Sequence, residues 1–119
     1  MLKLIDFGIC TEYMDGCKHV DFDFREPKGN IAFRSSYAAQ NIVQTRRDDM
    51  YAVLGVLINL TNGKLHFNNW TVENILKYKI ETEAKKLCEG AKELIPFAEL
   101  VLKLKFDEEP DYKRLRFEL

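Results

Sequence analysis

The sequence predicts a mainly α protein folded as a single domain. Three observations carry this reading. A run from Asp49 to Asn62 is apolar at almost every position and closes on Gly63. Two further stretches, opening near Thr71 and Ala91, set apolar residues at helical spacing. The 119 residues, 46% apolar and 31% charged, are enough for one globular domain and too few for two.

The elements follow in order. Leu2-Lys3-Leu4-Ile5 alternates and then runs apolar, the pattern of a short strand, and Asp6-Phe7-Gly8 ends it. From Ile9 to Ser36 no period holds, and Gly16, Pro27 and Gly29 punctuate the stretch. It reads as one long loop, and a loop of this length is usually functional or disordered. About four helices follow. Asp48 or Asp49 is expected to cap the first, with Gly63 as its left-handed terminator.

Met50, Val53, Leu54, Val56, Leu57, Ile58 and Leu60 leave that helix almost no polar face. Such a helix needs cover on all sides. Gly55 inside it points to close packing against a neighbour. The second helix opens at Thr71, with Val72, Ile75, Leu76 and Ile80 as its apolar stripe and the lysines and glutamates of 77–86 toward solvent. The third spans about 91–105, with Pro96 in its first turn, and the last starts near Pro110.

Composition excludes several function classes. A net charge of −1 gives no reason to expect nucleic acid or an acidic membrane as partner. Cys10, Cys17 and Cys88 form no regular framework, and Cys17 and His19 lack a second pair at zinc spacing. No long apolar core or cleavage site marks a leader, and no lipidation motif is present. The expectation is a soluble protein of the cytoplasm or nucleus.

The chemistry resides in motifs. Asp6-Phe7-Gly8 after an apolar run resembles the DFG motif of protein kinases. Gly29-Asn30-Ile31-Ala32-Phe33-Arg34-Ser35 resembles the Gly-Thr-x-x-aromatic-Ala-Ser loop of the casein kinase 1 group. Arg46-Arg47-Asp48-Asp49 matches that group's Arg-Arg-Asp-Asp. Gly63-Lys64-Leu65-His66-Phe67 resembles its Gly-x-Leu-Pro-Trp, and Leu104 to Tyr112 its Leu-Arg-Phe-Asp-Asp-Lys-Pro-Asp-Tyr. The blocks occur in family order over nearly the whole chain, which is identified as resembling a casein kinase 1-type C-terminal lobe from DFG onward.

The resemblance implies roles. Asp6 would ligate magnesium, with Phe7 as an apolar latch and Gly8 as a turn, completing the nucleotide-side motif. Residues 9–36 would be the activation segment, with Gly29, Asn30 and Ser35 positioning a protein substrate. Asp49 would be the buried carboxylate that braces the catalytic loop, beside Arg47. Arg46 and Arg47 would either bind a phosphate or acidic substrate, or pair with Asp48 or Glu26.

Ala32, where many relatives carry an anion-holding Arg, weakens the case for acidic substrates. ATP and magnesium are implied for the intact parent and none for this chain alone. The Gly-rich loop, strand Lys and catalytic loop precede DFG in kinases, so the chain alone is expected to be inactive. The alternative is a non-catalytic, pseudokinase-like interaction module. Either way, an uncovered apolar helix face is expected to favour self-association.

Overall fold

The structure, a computed structural model, describes residues 3–67 and 69–119. Its architecture is mainly α, as the sequence predicts. Among the described residues six helices follow a two-residue-per-strand hairpin. The hairpin pairs β1 (Met14–Asp15) with β2 (Lys18–His19), antiparallel, across Gly16. The helices are α1 (Ser36–Ala39), α2 (Arg46–Asn62), α3 (Val72–Glu81), α4 (Ala84–Leu87), α5 (Ile95–Leu102, entered through a 3₁₀ turn at Lys92–Leu94) and α6 (Tyr112–Phe117).

α2 packs against α5, α1 against α3, and α4 against α5. The core forms where Tyr51, Leu54 and Ile58 of α2 meet Phe97, Ala98 and Val101 of α5. Leu87, Cys88, Ala91 and Leu94 close one side of it. Each large side chain buried there contributes about 1.5–3 kcal/mol relative to exposure. This single core explains why the α2·α5 contact organises the molecule.

Four expectations need correction. Lys3, Leu4 and Ile5 form no strand, and Leu2 lies outside the described residues. A strand needs a ladder partner, whereas Leu4 and Ile5 are exposed. The ladder sits instead inside the stretch read as structureless, where Gly16 adopts the positive φ that the turn requires.

The cap of α2 is Thr45 rather than Asp48 or Asp49, so the helix starts three or four residues earlier. The third expected helix is shorter than 91–105 and ends at Leu102. Finally, α3 does not turn all its lysines outward. Lys79 is buried, and Val72 and Ile80 of the expected stripe are exposed.

Two features follow the sequence closely. Gly63 ends α2 at φ 72, the left-handed conformation that spares glycine a Cβ clash. Gly55 is buried, and a Cβ there would stand 3.1 Å from Phe33 Cδ1. The aromatic ring occupies the space that glycine leaves. α2 itself is covered on one side only, since Val53, Val56 and Leu60 are exposed.

Candidate functional site

The start of α2 is a junction of four segments. Thr45 and Asp48 form a capping box, in which the Asp48 carboxylate accepts the Thr45 N–H at 2.8 Å. The other Asp48 oxygen accepts a short hydrogen bond from the Ser35 hydroxyl, which also accepts the Ala38 N–H at 3.0 Å and so caps α1. The Thr45 hydroxyl donates to the Phe106 carbonyl at 2.9 Å. Asp48, 3% exposed, therefore ties the end of the 9–36 segment to α2. Within this chain the buried carboxylate at this helix start is Asp48, while Asp49 is exposed.

Arg47 is buried with its guanidinium 3.4 Å from the Tyr37 ring centroid and 5.4 Å from that of Phe106. Its Nε stands 3.7 Å from Asp48 Oδ2. Stacking on aromatic faces suits the flat, weakly hydrated guanidinium. Arg46 lies 4.7 Å over Tyr13 and 3.8 Å from Glu109. The arginine pair thus joins the hairpin, α1 and the C-terminal stretch. Of the pairings weighed from sequence, Arg47 with Asp48 is present.

The 29–35 loop is built from local turns and one distant cation. Asn30 accepts the Ala32 N–H on its side-chain oxygen at 2.9 Å and the Phe33 N–H on its carbonyl at 3.0 Å. Arg34 Nε donates to the Gly29 carbonyl at 2.9 Å. Lys79 Nζ, reaching in from α3, donates to the carbonyls of Ile31 at 2.8 Å, Ala32 at 2.9 Å, and Arg34. Burial, and then the Arg34 charge, pull the Lys79 pKa down to about 7. Sequence reasoning missed this residue because its type suggests solvent. Its place one helical turn after the buried Ile75 is the signal that would have found it.

Asp6 adopts φ 61, and its Oδ1 accepts the Gly8 N–H at 3.3 Å. Phe7 is 62% exposed. Gly29 and Asn30 sit in the loop, and Ser35 is buried in the brace to Asp48. The structure brings Ser35, Arg47 and Asp48 together; Asp6 lies apart at the chain's exposed N-terminal stretch.

A cleft of about 520 Å³ separates the 9–28 stretch from the start of α2. Cys10, Arg25, Lys28, Gln44, Arg46 and Asp49 are among its lining residues. Partial burial in the cleft wall, and then the Asp48 charge, raise the Asp49 pKa above its ordinary carboxylate value. Asp49 thus presents a carboxylate to the cleft, not to the interior.

Magnesium takes about six oxygen ligands, usually one or two carboxylates together with waters and nucleotide phosphates. Among the described residues no three His, Cys, Asp or Glu side chains converge. Asp6 offers one such carboxylate, and no chemical step follows from these residues alone. Among the described residues, no helix is long and apolar enough to cross a membrane.

No family model matches the chain. Over 96% of its length it is 32% identical to the casein kinase 1-like protein HD16 of Oryza sativa subsp. japonica. The match takes in 17% of that protein, so the chain spans about a sixth of the relative's length. The mainly helical fold agrees with the portion of the kinase that the motifs indicate. The chain belongs to the casein kinase 1-like kinases, as a portion of their C-terminal lobe.

Proposed function

We propose that this chain is the activation-segment and helical portion of a serine/threonine protein kinase. The parent transfers the ATP γ-phosphoryl group to protein Ser or Thr, with magnesium supplied alongside the nucleotide. The observation that carries this reading is the 32% identity maintained across 96% of the chain. In the parent, Asp6 holds magnesium. Its left-handed backbone supports this role, because a non-glycine residue in that region marks a constrained, often functional, position. Residues 9–36 form the activation segment, and Gly29 and Asn30 shape the loop that meets the protein substrate. The near-neutral charge favours a protein partner over nucleic acid or membrane. Reduced thiols fit the cytoplasm or nucleus, which fractionation of the tagged protein tests.

The chain by itself does not transfer phosphate, since Asp6 is the one motif carboxylate it brings to the metal. Titration of the purified chain with Mg·ATP, together with an autophosphorylation assay, tests this. No heat of binding and no label transfer are expected. Transfer by the isolated chain overturns it. In a longer product from the same gene, Asp6→Asn is expected to cut transfer by at least about a hundredfold.

One observation favours a second reading, an interaction module. Val53, Val56 and Leu60 form an uncovered apolar face on α2, and apolar faces of this kind mark contact surfaces. Self-association through this face predicts a concentration-dependent mass in sedimentation, abolished by Leu60→Glu.

A further inference from the structure

A buried ammonium normally faces a carboxylate, because an uncompensated charge in the interior is costly. Lys79 departs from this. It is 4% exposed, and its hydrogen-bond partners are three backbone carbonyls. The nearest aromatic faces, Tyr51 and Phe67, stand 5.5 and 5.3 Å from Nζ and add cation–π attraction. Arg34 is the charged group that opposes it. An ammonium carries three donors, and here each has its own acceptor.

The three acceptors come from one short loop, at 31, 32 and 34. Three carbonyls aimed at one point repel each other unless a cation gathers them. Arg34 and Asn30 bond only to the loop's own backbone, so ahead of the Ser35–Asp48 bond at its end the loop's long-range polar tie is Lys79, 45 to 48 positions away. The aromatic ring of Phe33, between the tied carbonyls, packs on Gly55 of α2. The loop is therefore held in its middle by one cation from α3 and one ring against α2, and at its end by the Ser35–Asp48 bond.

We infer that Lys79 is the positioning residue of the 29–35 loop, holding its backbone in place by drawing three carbonyls onto one ammonium. The holding stands on this geometry alone. Its meaning for substrate placement rests on the kinase reading above. The role assigns α3 a control over the loop: a change that shifts α3 withdraws the cation and frees the segment.

Two measurements on the intact chain test this, and both are separate from any nucleotide assay. The first is NMR of the lysine amino groups at about pH 6, where the ordinary amine is charged. Lys79 is expected to give a slowly exchanging ¹⁵Nζ signal with through-hydrogen-bond couplings to the carbonyl carbons of Ile31, Ala32 and Arg34. A fast-exchanging, water-like signal overturns the proposal. The second is amide exchange in Lys79→Met. Exchange at Ala32 and Phe33 is expected to accelerate about tenfold or more, with Leu54 and Ile58 unchanged. Acceleration spread evenly over loop and core overturns it. Should the variant not fold, the wild-type amino signal decides. A positive result with no kinase activity in any longer product would keep the tie and remove only its substrate role.

Discussion

The Ser35 hydroxyl donates to Asp48 Oδ1 across 13 positions, joining the end of the 9–36 stretch to the first turn of α2. Both residues are buried, and Asp48 also accepts the Thr45 N–H at 2.8 Å. Removing either partner leaves a polar group without water or bond. Ser35→Ala is expected to lower unfolding free energy by roughly 1–3 kcal/mol, and Asp48→Ala by more, since it strips two donors. Urea denaturation measures both. An unchanged midpoint for Asp48→Ala would show that the brace is dispensable.

The Lys79 pKa predicts a pH dependence. Folding lowers it from 10.5 to about 7, so between these values the unfolded chain binds more protons. Stability from this group is complete above 10.5 and is lost as pH falls through about 7. Cys88 works in the opposite sense. Burial, and then Glu93, raise its pKa from 9.0 to about 11, so its contribution falls as pH rises through that window. The rise due to Lys79 is therefore expected from about pH 7 to just below 9 and should vanish in Lys79→Met. Thermal unfolding at fixed ionic strength reads it.

Gly55 and Phe33 predict a steric outcome. A Cβ at Gly55 meets Phe33 Cδ1 at 3.1 Å, which is tight but at the edge of a ring. Gly55→Ala also gains about 1 kcal/mol of helix propensity, so the two effects nearly cancel. Gly55→Val forces the ring away and is expected to cost about 1–3 kcal/mol, as overpacking does. Combining it with Phe33→Ala should recover part of that loss. A simple sum of the two single effects in chemical denaturation would disprove the contact.

The open side of α2 gives a surface prediction. Leu60 is 73% exposed, and Val53 and Val56 lie on the same uncovered side. Leu60→Glu is expected to change monomer stability by no more than about 0.5 kcal/mol, as surface substitutions do. A large loss in urea denaturation would mean that this face is already covered in solution.

The helical framework was legible from spacing and punctuation. Thr71 caps α3 and Gly63 ends α2 because hydroxyl acceptors and left-handed glycines act locally. The need for a neighbour at Gly55 was legible too. What escaped was settled by tertiary partners. Thr45, not Asp49, caps α2, since Asp48 folds back on it while Asp49 faces the cleft. Lys79 was assigned to solvent by residue type, yet the converging carbonyls of 31–34 overrode type. The hairpin at 14–19 was hidden because two-residue strands carry no period. At the site, motif residues were readable by resemblance, whereas the Ser35–Asp48 brace required the fold.

The bond from Thr45 to the Phe106 carbonyl spans 61 positions. It sets an order on assembly. α2 can wind early on its own i-to-i−4 bonds, but its opening turn waits for a distant stretch to arrive, and closing so wide a loop is slow. During synthesis that turn would stay unfinished until residue 106 has cleared the ribosome, however early the rest of α2 has wound.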